Sequence, residues 1–310
     1  MRIGIHLANW GPWASPAAIA ALAQRAEALG FDSVWVSDHV VAPVASASSY
    51  PYRPQSGLTP DRAATHYEPL VTLAYVAGLT QRVRLGTSVL IVPLRNPVYT
   101  AKLIATLDAL SGGRVILGVG VGWLAEEFRA LEAAPFAQRG AVLEEYLRLY
   151  QALWSDDVTT FAGAYYRLDP VRAYPKPIQQ PRPPLWFGGH SRPALRRAVR
   201  YGEGWHPVRI SPATLREAMG ELRRFAEEQQ RDLAGFAVAV RCDIGIGLPA
   251  DNAQDWQLFG PADVVAEQLA RYQEAGCTDL MAELHPRETT AQMLEAMERL
   301  AEVAQPVAGQ

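Results

Sequence analysis

A chain of 310 residues with 49% hydrophobic and 20% charged residues has the composition of an ordinary globular protein with a large core. Its formal net charge of −3 advertises neither nucleic acid nor an anionic membrane as a partner, and two cysteines, Cys242 and Cys277, are too few for a disulfide framework. The N-terminal MRIGIHLANW reads directly as a strand rather than a secretory leader, and no uninterrupted apolar run of about 18 residues exists, so a cytoplasmic protein without a membrane span is expected.

Residues 2–6 read as a first strand. Ser15 and Pro16 open a helix whose apolar face is Ile19, Leu22, Ala23, Ala26 and Leu29, and Gly30 closes it. Residues 33–36 form a second strand that runs into Ser37-Asp38-His39. Residues 40–66 are a long loop rich in Ser, Pro and Tyr, of the length that serves as a lid. Residues 67–80 read as a helix.

The clearest unit spans 83–123. Apolar β-branched runs at 83–85, 89–92 and 115–121 flank an amphipathic helix at 97–110. Asn96 is its N-cap, Pro97 its first-turn proline, and Ser111-Gly112-Gly113 its stop. The unit has the length a right-handed parallel crossover needs. Helices follow at 124–131 and 138–154, separated by Pro135. Residues 155–183 carry a hairpin (158–161 and 165–168) and a proline-rich connection. A short strand at 185–187 leads into Gly188-Gly189-His190-Ser191 and a helix at 191–201. A weak strand at 204–208, a helix at 212–229 and a strand at 236–248 come next. Gly260-Pro261 opens a helix closed by Gly276, and a strand at 279–284 and a helix at 289–303 end the chain.

About eight strand–helix alternations without a linker predict an α/β fold, a single (β/α)₈ barrel over 1–310 with 40–66 and 155–183 as insertions. A doubly wound sheet is the alternative. In a barrel the chemistry gathers at the C-terminal ends of the strands. Five of the six histidines (His6, His39, His190, His206 and His285) fall at or just after a predicted strand end, and only His66 lies in the long loop. Trp10, Trp123 and Trp205 fall in the same zone. Singly these are ordinary boundary residues; as a set they predict a concave, aromatic-lined pocket.

Three chemistries can be weighed on these residues. A metal hydrolase would want a histidine pair on the first strand and an acid directly ending the last; the chain has Ile5-His6-Leu7-Ala8 and Glu283-Leu284-His285, so no metal site is expected. Gly118-Val119-Gly120-Val121-Gly122 lacks the dinucleotide spacing, but a backbone without side chains admits a flat ring or a phosphate. Gly188-Gly189-His190-Ser191 precedes a helix, where backbone N–H groups and the helix dipole suit an anion, and simple capping by Ser191 is the alternative.

Several stretches together resemble the luciferase-like monooxygenase superfamily, and within it the branch that depends on the deazaflavin coenzyme F420. They are FDSVWVSDHV, RVRLGTSVLIVPLRNP, RVILGVGVGW followed by EEF, GAYYRLDPVRAYPKPIQQPRPPLWFGG and AVRYGEGW, and they run over nearly the whole chain. The resemblance implies a (β/α)₈ barrel with F420, or alternatively FMN, at its C-terminal mouth. It implies a bulge, often with a non-proline cis peptide, at Ser88-Val89 behind the ring. It implies Gly118 and Gly120 beside the ring, a phosphate loop at Gly188, Gly189, His190 and Ser191, and an Asp38-His39 pair near the reactive edge. His39 is the expected proton partner, with Trp10, Trp123 and Trp205 shaping the substrate pocket. Some sugar-phosphate dehydrogenases of the branch place a glutamate directly after the glycine run; this chain has Trp123 there, with Glu126 and Glu127 further into the helix. The expected activity is hydride transfer between F420 and a small organic substrate. The alternatives are an FMN-dependent monooxygenase, a non-catalytic flavin-binding protein and a metal-dependent barrel hydrolase. Pairing of relatives suggests a homodimer by analogy.

Overall fold

A computed structural model describes residues 1–52, 65–251 and 253–308 of the protein. Strands β1 (Arg2–His6), β2 (Ser33–Val36), β3 (Arg84–Thr87) with its continuation β4 (Leu90–Ile91), and β5 (Val115–Gly120) follow one another in parallel. After an antiparallel hairpin of β6 (Thr159–Ala162) and β7 (Arg167–Val171), the ring continues through β8 (Leu185–Gly188), β9 (Gly204–His206) and β10 (Ala237–Ile246). A short strand β11 (Leu258–Gly260) pairs only with β10. Then β12 (Asp279–Leu284) bonds both β10 and β1 and closes an eight-stranded parallel barrel. The expected (β/α)₈ architecture is therefore the observed one.

The strands are apolar along both faces because both are covered. One face packs on the surrounding helices, and the other fills the barrel, as parallel sheets require. Inside, Trp35, Ile116, Trp186, Ala237, Ala239 and Met281 form a separate plug, with Trp35 stacked on Trp186 at 5.3 Å. Outside lie α1 (Pro16–Ala28), α2 (Pro69–Leu79), α3 (Pro97–Ser111), α4 (Ala125–Ala130), α5 (Arg139–Ser155), α6 (Arg192–Tyr201), α7 (Pro212–Glu228), α8 (Ala262–Glu274) and α9 (Thr290–Ala308). Their starts follow the expected chemistry. Ser15, Asn96, Ser191 and Ser211 each cap a helix with a proline in its first turn. Gly112 ends α3 in the left-handed conformation. Among the described residues no helix is long and apolar enough to cross a membrane.

Two local features matter, the first expected from the resemblance and the second not foreseen. The run at 89–92 does not simply extend β3, and the expected bulge at Ser88-Val89 is present. Gly86 faces Ile116 and Leu90 faces Val119, so the β3–β4 side spends one more residue than β5 over the same stretch, a β-bulge. The Ser88-Val89 peptide inside it is cis. Second, β11 sits where only a helix start was expected, since three residues before Pro261 give no periodic signal. The expected lid at 40–66 lies partly outside the described residues; 40–52 contain no helix or strand, and His66 bridges back to Trp10.

Candidate active site

A cavity of about 410 Å³ opens at the C-terminal ends of the strands. Its wall takes His39 and Asp38 from the end of β2, Ser88 and Val89 from the bulge, Gly120 and Trp123 from the end of β5, and Gly188, Gly189 and Ser191 from the end of β8, with Trp10 from the end of β1. Three sequence-predicted residues are not part of that wall. Trp205 is fully buried in the core and donates its indole N–H to the Gly189 carbonyl at 2.8 Å, so it supports the loop rather than lining a substrate pocket. His190 turns its ring onto Tyr52, 4.5 Å between centroids, and accepts the Val208 N–H. Gly118 lies deeper, against β3.

Gly120 borders the cavity as expected, and the glycines also have a packing role. A Cβ at Gly120 would stand 2.5 Å from Val89 Cγ2, and one at Gly188 3.1 Å from Val89 Cγ1. The bare backbone of β5 and β8 is thus a seat for the Val89 side chain. Val89 in turn borders the cavity with an apolar side chain.

Asp38 borders the cavity, but its carboxylate is spent on the scaffold. Both oxygens accept from Arg95 at 2.7 Å, and one also accepts the Ile91 N–H at 2.7 Å. The pair is buried, and Arg95 also reaches Glu68. This ties the end of β2 to the segment after the bulge. Removing one partner of such a pair leaves an uncompensated buried charge.

The cavity floor is a hydrogen-bonded layer over the barrel plug. His206 donates its Nδ1–H to the Ala239 carbonyl at 2.6 Å, which leaves Nε2 to accept the Ser88 hydroxyl at 2.9 Å. Arg241 donates to Ser37 Oγ at 3.0 Å and to the Ser88 carbonyl at 3.2 Å, while pairing with buried Glu283 at 2.9 Å. Arg287 also pairs with Glu283, and Arg209 stands 3.9 Å from it. Burial opposes ionisation of Glu283, but Arg241, Arg287 and Arg209 outweigh it and hold the carboxyl well below the usual range.

His39 is held on a carboxylate, its Nδ1 lying 3.0 Å from Glu127 Oε2. Its ring meets His66 and Trp123 edge-to-face, at 5.5 and 5.9 Å. Near the phosphate-type loop, Arg139 and Arg197 also border the cavity. Arg197 is paired with Glu144 through Nε at 2.7 Å, and Arg139 packs its guanidinium on Phe136 at 4.0 Å. Burial and, after it, the neighbouring Arg197 charge lower the Arg139 pKa. Sequence reasoning missed both arginines and gave Glu127 no role. On a helix these residue types read as solvated surface, and no spacing marks them otherwise. Among the described residues no three His, Cys, Asp or Glu side chains are grouped to hold a metal ion.

Burial keeps three histidines neutral. His206 and His190 are pulled down to about 4 by desolvation, and His66 to about 4 by desolvation and the nearby His39. Such a ring takes its proton first in the unfolded chain, near pH 6.5. Stability from these rings is therefore complete above that pH and is lost as pH falls toward about 4. The urea midpoint is expected to be level above about pH 7 and to drop between about 6.5 and 4. A midpoint flat over that window would contradict neutral burial.

The family model described as luciferase-like monooxygenase matches residues 3–257. The Mycobacterium tuberculosis protein Rv0953c is 34% identical over 186 residues, 60% of this chain and 66% of that protein. The F420-dependent glucose-6-phosphate dehydrogenase of Kineococcus radiotolerans is 38% identical over 193 residues, 62% of this chain; the match spans about half, 52%, of that enzyme's length. Among solved structures, an F420-dependent secondary alcohol dehydrogenase in complex with an F420-acetone adduct superposes with a TM-score of 0.77 at 22% identity, covering 96% of this chain and 98% of that one. The FMN-bound oxygenating constituent of 3,6-diketocamphane monooxygenase from Pseudomonas putida gives 0.77 at 17%, covering 99% and 98%. These two likenesses show a shared fold.

Proposed function

The chain belongs to the luciferase-like monooxygenase family, and we propose that it is an oxidoreductase transferring a hydride between coenzyme F420 and a small organic substrate. One observation carries the reading. A single cavity is bordered by the Val89 side chain on its glycine seat, a glycine–serine loop with two arginines, and an imidazole backed by a buried carboxylate. The F420-dependent relative supports the choice of cofactor.

The residues present fit such a cofactor. Val89 on its glycine seat offers the surface against which a tricyclic ring packs. Gly188, Gly189 and Ser191 with Arg139 and Arg197 would hold the anionic tail, where a helix N-terminus and two guanidinium groups act together. When bound, the deazaflavin supplies the hydride acceptor or donor. His39 then takes or returns the substrate proton. Trp10 and Trp123 exclude water and offer edges and faces to an organic substrate. On the outside of the barrel, α2 and α3 expose Val71, Tyr75, Tyr99 and Leu110, and we place the contact of a homodimer there.

The deciding experiment offers F420 and FMN separately and follows the melting temperature. Stabilisation by F420 and not by FMN is expected, by about 2.7 kcal/mol at a ligand concentration 100 times the dissociation constant. Stabilisation by FMN alone would turn the reading to a flavin-dependent monooxygenase. Arg197→Gln is expected to weaken F420 binding by about tenfold or more, because a charge-assisted hydrogen bond of ~1.5–3 kcal/mol is lost. It should also flatten the salt dependence of binding. Unchanged affinity would remove Arg197 from the tail site.

A further inference from the structure

His39 stands at the start of a long loop whose first residues are organised by one carboxylate. Glu127, 1% exposed, lies in the first turn of α4. Its Oε1 accepts the Val40 N–H at 2.6 Å and the Val41 N–H at 3.3 Å. Its Oε2 faces His39 Nδ1 at 3.0 Å. The adjacent Glu126 accepts the Ala47 N–H at 2.9 Å, further along the same loop. Two consecutive glutamates thus fasten one loop, but they differ in what they touch. A staple for the backbone would be complete with the two N–H groups; Glu127 carries the imidazole as well.

The chemistry of that third partner is directional. A carboxylate can only accept, so the proton between the two groups belongs to the ring nitrogen. Burial opposes ionisation of Glu127, yet the His39 hydrogen bond and charge and the Val40 and Val41 N–H groups outweigh it and hold the carboxyl below its usual range. The group is an anion when His39 is neutral and remains one when His39 is charged.

We propose that Glu127 is the positioning residue of His39: it keeps the proton on Nδ1, makes Nε2 the proton-exchanging atom, and stabilises the imidazolium formed there. The inference rests on the reading of His39 as the proton partner. In the oxidative direction a substrate C–H bond breaks and its electron pair leaves with the hydride for the deazaflavin. The substrate O–H or N–H bond breaks, and its proton forms the Nε2–H bond of His39. Glu127 neither gains nor loses a proton; it orients the ring and offsets the new charge.

Imidazole ¹⁵N NMR on the cofactor-free protein tests this without turnover, with His39 assigned by its loss in His39→Asn. The wild-type neutral ring should carry its proton on Nδ1. In Glu127→Gln the His39 pKa should fall by about one unit or more, a tenfold loss of proton affinity. With F420 and substrate, the pH at which kcat rises should move down by the same amount, and Glu127→Asp should restore part of the shift. Glu126→Gln, which removes the adjacent charge and leaves the Glu127 contact in place, should leave the His39 titration unchanged. An Nε2–H tautomer in the wild type, or an unshifted titration in Glu127→Gln, would overturn the proposal; the wild-type tautomer needs no variant to fold. Full turnover in His39→Ala with the tautomer as expected would refute the proton role of His39 and not the Glu127–His39 geometry, which separates the two failures.

Discussion

His39→Ala is expected to lower kcat by roughly 10²- to 10⁴-fold, the contribution of a positioned general acid or base. F420 affinity should stay close to that of the intact protein. The split follows from where the groups lie. The ring is fixed by Glu127 and by the edges of His66 and Trp123, whereas the loop at 188–191, proposed to hold the tail, is fixed by Trp205 and by the Ser191 cap. No hydrogen bond joins His39 to the loop among the described residues, so truncating the ring leaves the tail site standing. Equilibrium F420 titration and steady-state rates on one preparation separate the two effects. A variant that binds F420 as before and turns over at the wild-type rate would leave the proton role without a holder.

The barrel was legible in the sequence because its signals are local. Strand runs, serine and asparagine caps before proline, and glycine stops recur at fixed offsets, and a closed barrel is the simplest arrangement of eight such alternations that covers parallel strands on both faces. The site was legible only where it coincides with strand ends. His39, Gly188, Gly189 and Ser191, read from strand ends, and Ser88 and Val89, implied by the resemblance, border the cavity. Trp205 was misplaced for the same reason: position at a strand end does not say which way an indole points, and here it points into the core. Glu127 was given no role and Arg197 was missed because their partners are distant in sequence, and Arg139 was missed because its packing on nearby Phe136 does not mark it as part of a site. Glu127 reaches back 88 residues to His39, and Arg197 reaches 53 residues to Glu144. Nothing in a helical run of charged residues separates a buried anchor from a solvated face.

Gly118 shows the same limit from the other side, and it carries the largest expected effect on stability. As part of a glycine run it reads as a place where a ligand approaches. In the structure it is the backbone of β3 that approaches. A Cβ at Gly118 would overlap the Thr87 carbonyl oxygen and lie 3.4 Å from Val89 Cγ1. Thr87 also donates its hydroxyl to the Gly118 carbonyl at 2.7 Å, so the two strands are pinned at the point where the bulge begins. A flexible side chain could swing away from an added methyl group, but a carbonyl held in a barrel strand cannot. Gly118→Ala is therefore expected to cost about 3 kcal/mol or more, the upper end of overpacking effects, because strand spacing itself has to change. Gly78→Ala is the matched control. It adds the same methyl group in α2, where nothing lies within 4 Å, and should be neutral or stabilising by up to ~1 kcal/mol. Urea denaturation of the pair, without cofactor, isolates packing from binding. Equal midpoints for the two variants would mean that Gly118 is not required by the β3–β5 contact, and the ligand reading of the glycine run would stand in its place.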